Sequence, residues 1–263
     1  MESVDVVYIV GGGAKNQDDR PLRWSLRSLA KFATGLGRVI VAGQPPAWLS
    51  DAVVKVPCDV SSGGKHWNIL NGVENAVRKA GLDGPFLYSS DDHYLAKPFN
   101  LAEWPRFYKG MLQSVSSYAA ESGKTPDAWK ASCCATYEML KSEGFPFRDV
   151  SHHFNTWLDA RDLGTVLALA RRHARETSFG FEVTSMFNAA FEKRCPGADY
   201  VRVMDDRKVK GRLDIDRKLA AGALMFSTSP KSERDGAVVS RMDDLFSGPS
   251  PFEKDRHGGL PLF

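Results

Sequence analysis

Hydrophobic and polar positions alternate in blocks along the first third of the chain. Residues 4–10 form an apolar, β-branched run typical of a buried strand, and the run ends at Gly11-Gly12-Gly13. After a polar stretch, Pro21 suits a first helical turn, and leucines at positions 22, 26 and 29 recur at helical spacing. The pattern therefore predicts a strand, a glycine loop that could adjoin a phosphate or nucleotide, and a helix.

Further apolar runs predict more strands of the same sheet. Residues 38–42 and 53–56 are short apolar runs, each followed by proline, and residues 85–88 begin another. A helical pattern at residues 67–80 separates the last two runs. Because strands and helices alternate, we predict an α/β fold with a Rossmann-type core and a mainly parallel sheet.

The second half of the chain has a different pattern. Amphipathic spacing predicts a helix-rich C-terminal half, with helices at residues 104–120, 127–142, 163–175 and 181–193. The segment at residues 227–263 is rich in Ser, Gly, Pro and charge, which is typical of a loosely packed arm. We therefore predict one domain at residues 1–226, made of halves 1–100 and 101–226, followed by a C-terminal arm.

Composition narrows the class of protein. With 263 residues, of which 43% are hydrophobic, the chain can bury one substantial core. Residues 1–5 carry no basic segment, and apolar runs never reach 18 residues, so we expect neither secretion nor a membrane span and predict a cytoplasmic protein. The net charge of +3 suits an anionic substrate but is too small to indicate nucleic-acid binding by itself.

Two adjacent carboxylates, Asp91 and Asp92, come directly after the apolar run that begins at residue 85. Ligands of open α/β sheets bind at the carboxyl ends of the strands. Two carboxylates there suit Mg²⁺ or Mn²⁺, which can bridge the phosphates of a nucleotide and offset charge on a leaving phosphate. Aspartates are also common turn residues, and the motif alone favours neither interpretation.

Two arginines make a second candidate site. Arg23 and Arg27 are four residues apart and therefore share one face of the first predicted helix. Guanidinium groups spaced in this way suit phosphate. A solvated basic face is the commoner outcome for such a pair.

A glycine turn, Gly63-Gly64, precedes the helix predicted at residues 67–80. Backbone amides at a helix start, together with Lys65, could bind an anion, with Asp59, His66 and Asn68 beside them. Glycine pairs are ubiquitous in loops, so this signal is weak by itself.

Tandem histidines follow an acidic residue. His152 and His153 come after Asp149, and a histidine beside a carboxylate is the usual arrangement of a general base. A metal site or a surface loop would explain the pair equally well. Arg172 lies at a predicted helix end, where the helix dipole alone favours a cation, and Lys208 follows a strand-like run at residues 201–204.

Taken in order, these segments resemble the Stealth family of sugar-phosphate transferases, and especially its short, phage-type members. The most specific string is Leu-Arg-Trp-Ser-Leu-Arg-Ser-Leu. The segments similar to family motifs are residues 5–8, 22–29, 39–49, 86–94, 152–154 and 245–253. The sequence departs from the family pattern in three places: glycines follow the first strand where larger members carry an acid, Ser90 replaces Asn, and Phe154 replaces Pro.

The resemblance implies a GT-A-like core in a transferase that uses a nucleotide sugar, such as a UDP-sugar, as donor. It places residues 1–100 on the donor side and residues 101–226 on the acceptor side, with Asp91 and Asp92 near a divalent metal. It places Arg23 and Arg27 near the donor. Together with the candidates from the two glycine loops, the predicted donor contacts are Gly11, Gly12, Arg23, Arg27, Asp59, Lys65, Asn68 and Asp91.

The same resemblance implies catalytic roles. His152 or His153 would take the proton of the acceptor hydroxyl, while Arg172 or Lys208 would stabilise charge on the phosphorus or the departing nucleotide, beside Asp92. Larger family members transfer sugar-1-phosphate to a glycan hydroxyl. Whether this chain would transfer the sugar or the sugar-1-phosphate stays open.

Three interpretations of the acceptor side follow. The first is a transferase acting on a glycan. The second is a phage-type DNA glycosyltransferase that modifies a hydroxymethylated base, which would need aromatic stacking. Aromatic residues that could provide it, although such residues are more often core, are Trp104, Phe107, Tyr108, Trp129 and Trp157. The third is a non-catalytic module that binds a nucleotide or a glycan.

Overall fold

The computed structural model of the chain describes residues 3–11, 19–203 and 207–254. Its strands in chain order are β1 Val4–Val10, β2 Ala33–Thr34, β3 Leu36–Gly43, β4 Val53–Pro57, β5 Pro85–Ser89, β6 His93–Leu95, β7 Phe99–Asn100, β8 Phe107–Tyr108, β9 Gly110–Met111, β10 Arg148–Asp149, β11 Thr156–Asp159, β12 Val201–Arg202 and β13 Met225–Ser227. Its α-helices are α1 Arg20–Phe32, α2 Lys65–Ala80, α3 Val115–Ser122, α4 Ala128–Ser142, α5 Leu163–Arg172, α6 Val183–Arg194, α7 Arg212–Ala220 and α8 Gly236–Leu245.

The central sheet has five strands in the order β11-β5-β1-β3-β4. Strands β1, β3, β4 and β5 run parallel, and β11 pairs with β5 in the antiparallel direction. The predicted Rossmann-type core with a mainly parallel sheet is therefore confirmed, and so is the helix-rich second half. The chain order changes direction between β1 and β5, which is where ligands of such sheets bind.

Both faces of the sheet are covered, because successive side chains of a strand point to opposite sides. On one face, Val7 packs with residues of α2, α4, α5 and α6. On the other face, Val6 and Tyr8 pack against α1. Leu22, Leu26 and Leu29 of α1, whose helical spacing predicted this helix, are all buried there. The burial of each contributes on the order of 1.5–3 kcal/mol to the free energy of unfolding.

The prediction of one helix at residues 104–120 is wrong. This stretch contains β8 and β9, and only its last part lies in α3. Trp104 precedes Pro105 and has an extended ψ of 122°, as the proline ring requires of the residue before it. Its buried indole packs against Phe99 and Phe107 and donates a hydrogen bond to the carbonyl oxygen of Asn155. Tertiary packing thus overrides the local helical spacing.

The prediction of a loosely packed arm is wrong for residues 227–254. Helix α8 buries Val238 and Met242 against Tyr94, and β13 pairs with β6. The carboxylate of Glu253 accepts hydrogen bonds from Arg23 Nη1 at 2.7 Å and Arg27 Nε at 2.7 Å. The boundaries drawn at residues 100 and 226 stay predictions.

None of the described helices is both long enough and apolar enough to cross a membrane.

Replacing Glu253 by glutamine tests this contact. The carboxylate is 2% exposed, so the variant leaves two partly buried guanidinium groups without their counter-charge. We expect the free energy of unfolding to fall by about 3 kcal/mol, the size seen when one partner of a buried ion pair is removed. Urea denaturation of the wild type and of Glu253→Gln measures it.

Asp51→Asn is the matched control, because its side chain is fully exposed while it pairs with Lys55. We expect no measurable change in the free energy of unfolding for this variant. Equal effects of the two substitutions would contradict a structural role of the Glu253 contact.

Candidate active site

A cavity of about 810 Å³ lies at the carboxyl ends of β1 and β5. Several separate segments line it, from the end of β1 to the loop after β13. The cavity brings together eight of the residues selected from the sequence: Gly11, Lys65, Asn68, Asp91, Asp92, His152, His153 and Lys208. Gly12 lies outside the described residues.

The acidic pair lies in the turn between β5 and β6. The Asp92 carboxylate accepts a hydrogen bond from the ammonium group of Lys208, and its Oδ1 lies 3.8 Å from Nε2 of His93. The Asp92 side chain is 15% exposed. Sequence analysis predicted both Asp92 and Lys208 near a phosphate but not that they form an ion pair with each other.

The two aspartates have opposite electrostatic environments. Burial, with added repulsion from Asp92 and Glu233, raises the pKa of Asp91 to about 7. Burial also acts to raise the pKa of Asp92, but the positive charges of His93 and Lys208 outweigh it and hold this pKa below its ordinary value. Among the residues that the structure describes, Lys208 thus compensates Asp92, while Asp91 forms no ion pair of this kind.

The structure separates the roles of the tandem histidines. His152 is buried; its Nε2 lies 3.1 Å from the carbonyl oxygen of Phe107, and its Nδ1 accepts a hydrogen bond from the backbone N–H of Phe154. A neutral imidazole that donates through Nε2 and accepts through Nδ1 has no lone pair left for a substrate proton. His153 is partly exposed and lies near Asp92, whose pKa it helps to lower when its imidazole is protonated.

A second wall is formed by the start of α2. The Asn68 side chain bonds the N–H and the carbonyl oxygen of Gly63, at 3.0 Å and 2.8 Å, and so fixes the turn that precedes the helix. Lys65 also lines the cavity. Asp59 does not line it, because its carboxylate turns back to accept hydrogen bonds from the N–H and hydroxyl of Ser61.

The structure does not bring three other selected residues to the cavity. Arg23 and Arg27 bind Glu253, as described above, and neither lines the cavity. Arg172 forms an ion pair with Glu143 at 2.6 Å, at the far end of α5. Their guanidinium groups bind protein carboxylates, whose positions depend on tertiary structure and could not be predicted from local spacing.

Among residues 3–11, 19–203 and 207–254, no group of three or more His, Cys, Asp or Glu side chains has the arrangement of a metal site. The donor set at the cavity still has suitable chemistry for a hard divalent cation. Asp91 and Asp92 supply carboxylate oxygens, and burial together with repulsion from Asp92 and Glu233 raises the pKa of Asp91. These two residues fit a Mg²⁺ or Mn²⁺ ion.

Several cavity residues were not among the predicted site residues. Glu182 caps α6, accepting hydrogen bonds from the N–H groups of Thr184 and Ser185, and burial raises its pKa. Glu233 is held by the Thr228 hydroxyl at 2.6 Å. Tyr88 and His93 were missed in the same way, and His93 carried a local signal because it directly follows the acidic pair. His66 and Trp129 also line the cavity, although the sequence marked them only as a neighbour of the glycine turn and as a possible stacking residue.

No protein-family model matches the chain, and no curated protein sequence matches it. Among solved structures, it is similar to a glycosyltransferase involved in the glycosylation of the major capsid of PBCV-1. That match has 12% identity and a TM-score of 0.42, and covers 92% of this chain and 98% of that chain.

The chain is also similar to the glycosyltransferase GlyE of Streptococcus pneumoniae TIGR4. One GlyE structure matches with 9% identity and a TM-score of 0.42, covering 97% of this chain and 66% of that chain. The apo form matches with 11% identity and a TM-score of 0.39, covering 94% and 65%. The chain thus spans just under two thirds of the length of GlyE. Likeness at this level says nothing about what the chain binds.

The pKa of Asp91 predicts a pH-dependent effect of Asp91→Asn on stability. Between pH 3.8 and about 7 the folded protein keeps a proton that the unfolded chain releases, so this group lowers stability as the pH rises through that window. Asparagine cannot ionise. Without divalent cations, we expect the melting temperature of Asp91→Asn to exceed that of the wild type by about 3–6 °C at pH 8 and by much less at pH 5.

Differential scanning fluorimetry across this pH range makes the measurement, with Asp51→Asn as the exposed control. A difference between Asp91→Asn and wild type that is constant with pH would contradict an uncompensated Asp91.

Proposed function

We propose that this chain is a nucleotide-sugar-dependent transferase that modifies a hydroxyl group of a glycan. One observation carries the proposal. The cavity at the carboxyl edge of the parallel sheet gathers an acidic pair, a lysine and a histidine from three distant segments of the chain. These are the groups that transfer from a nucleotide diphosphate needs: charge stabilisation for the leaving group and a base for the acceptor.

The donor side of the cavity suits a diphosphate. Within the described part of the chain, cationic side chains of Lys65, Lys208 and Arg234 line it. Asp91 and Asp92 would hold a divalent cation, which when bound offsets negative charge on the leaving phosphate. Lys208 is already fixed by Asp92, so its ammonium group is oriented before a substrate arrives and can stabilise the same charge.

On the acceptor side, we assign the general base to His153. Its imidazole accepts the proton of the acceptor hydroxyl as the acceptor oxygen forms its new bond. His152 instead orients the loop through its bonds to the backbone of Phe107 and Phe154.

Two bond-breaking patterns are consistent with these groups. If the acceptor oxygen attacks the anomeric carbon, the sugar is transferred and a nucleoside diphosphate leaves. If it attacks the sugar-bound phosphorus, sugar-1-phosphate is transferred and a nucleoside monophosphate leaves. In both cases the proton passes to His153 and negative charge collects on the leaving phosphate.

We also propose membership of the Stealth family, on the sequence motifs. The structure supports it in one respect: the motif at residues 22–29 and the motif at residues 245–253 contact each other through Arg23, Arg27 and Glu253. Segments far apart in the sequence thus form one structural unit, which explains why they would occur together.

The aromatic residues selected as possible stacking partners of a DNA base do not support a DNA acceptor. Trp104 is buried, and Phe107 and Trp157 pack against the same core cluster. Tyr108 lies edge to face with Tyr200. Only Trp129 of this group lines the cavity. We therefore propose a glycan rather than a flipped base as the acceptor.

Thermal shifts with nucleotide sugars and Mn²⁺ test the donor. UDP-, GDP-, CDP-, ADP- and dTDP-sugars are screened with Mn²⁺ and with EDTA, and a bound donor raises the melting temperature of the native protein. We expect a donor-specific shift that needs Mn²⁺ and is lost in Asp91→Asn and Asp92→Asn. A protein that binds none of these donors contradicts the proposal.

His153→Gln tests the base. Turnover of the donor identified by the screen should fall by about 10²–10⁴-fold in kcat, while donor binding is unchanged. His173→Gln is the matched control, because His173 bonds Glu143 outside the cavity, and we expect it to retain wild-type kcat. Chromatography of the released nucleotide distinguishes the two bond-breaking patterns. Donor binding without any turnover would favour a non-catalytic module.

A further inference from the structure

His66 lies in the first turn of α2 and lines the cavity, yet its side chain has no role in the chemistry described so far. Its position is fixed. The backbone N–H of His66 donates to the carbonyl oxygen of Phe179 at 3.0 Å, and the imidazole packs edge to face against the Phe179 ring at 5.4 Å.

Gly180 shows how closely this packing is built. It has a φ of 92°, and a Cβ atom there would lie 2.9 Å from the Cβ of His66 and 2.6 Å from the backbone nitrogen of Trp67. Only glycine allows this approach. The imidazole is therefore held against one wall of the cavity by backbone that cannot shift without strain.

Both ring nitrogens of His66 are buried, and neither has a hydrogen-bond partner among the described residues. The residue is 4% exposed. Burial, with a smaller effect of Lys65, lowers the pKa of His66 to about 4, so the ring is neutral at pH 7 and presents one N–H donor and one lone pair. Leaving both groups unpaired costs stability that a phenyl ring of similar size would not.

The cavity wall next to His66 carries apolar side chains, which suit a neutral group. Ile69 is three residues from His66 and on the same face of α2. Ile9 packs on this helix, since a Cβ on Gly72 would lie 2.5 Å from its Cγ2. Ile9, Ile69 and Val60 all line the cavity, whereas the acidic pair and Lys208 come from other segments. Lys65 and Asn68 line the cavity at the same end of α2, but the three apolar side chains next to the neutral imidazole suit a planar polar ring better than a phosphate.

We propose that His66 binds the nucleoside half of the donor by hydrogen bonds from its neutral imidazole to a neutral polar edge of that group. This rests on the function proposed above and adds a specificity-determining residue to it. The diphosphate then extends toward Lys208 and the acidic pair. A base edge and a ribose hydroxyl offer the same hydrogen-bonding chemistry, and the test distinguishes them.

His66→Phe should change binding and stability in opposite directions. The phenyl ring keeps the packing against Phe179 but removes both unpaired nitrogens, so we expect the melting temperature of the ligand-free protein to rise by about 2–4 °C. Calorimetric titration with the nucleoside diphosphate selected in the donor screen should show about a tenfold loss of affinity, the effect of losing one good hydrogen bond. Inorganic pyrophosphate should bind the variant and the wild type equally.

His173→Phe is the matched control, because the His173 imidazole does have partners, Glu143 and Glu176. We expect it to lower the melting temperature and leave nucleotide affinity unchanged. If His66→Phe fails to fold, His66→Gln, which keeps a donor and an acceptor, should fold and retain more nucleotide affinity than His66→Ala.

The remaining arms separate the sources of the hydrogen bond and the reasons for failure. If His66 bonds the base, the affinity loss of His66→Phe differs between UDP and CDP. If it bonds the ribose, the loss is equal for UDP and CDP, and 2′-deoxy analogues bind the variant and the wild type equally well. If the wild type binds no nucleoside diphosphate, the proposed function fails. If the wild type binds one and His66→Phe binds it equally well, only the role of His66 is overturned.

Discussion

Two adjacent carboxylates at the end of a buried strand cannot both be ionised unless positive charge lies beside them. Among the described residues, this requirement is met for Asp92 but not for Asp91. Lys208 compensates Asp92, and Asp91 lies at the cavity beside the negative charges of Asp92 and Glu233. The parallel sheet makes this arrangement possible, because it ends its strands β1 and β5 at the same edge, where the cavity lies. The electrostatic character of the candidate site follows from this unequal compensation of the two carboxylates.

The local pattern of apolar residues was sufficient to predict much of the hydrophobic core. The strand at residues 4–10 and the helices α1 and α2 were predictable because their apolar spacing matches the burial that the sheet imposes. The stretch after Trp104 was not, since an aromatic cluster and Pro105 decide its conformation. The antiparallel edge strand β11 was also missed, because its four residues are too short to show a period.

The site was predictable to the extent that its residues follow strands or begin helices. Asp91, Asp92 and Lys65 carry such signals, and the structure places all three at one cavity. Arg23 and Arg27 have an equally good phosphate-binding pattern, but a carboxylate 230 residues from Arg23 binds them instead. For His66 the error was the opposite, because sequence analysis did not select it as a site residue. What marks it is an imidazole that is buried without a hydrogen-bond partner among the described residues, and only tertiary structure shows this.

The contact between Arg23 and Glu253 also bears on the order in which the chain can fold. Its partners are separated by 230 residues, so α1 leaves the ribosome long before the carboxylate that neutralises it has been synthesised. Until then, its two arginines must stay solvated, and the surface that receives Phe252 stays uncovered. Because contacts between residues far apart in the sequence tend to form late in folding, we expect this contact to close after the central sheet has formed.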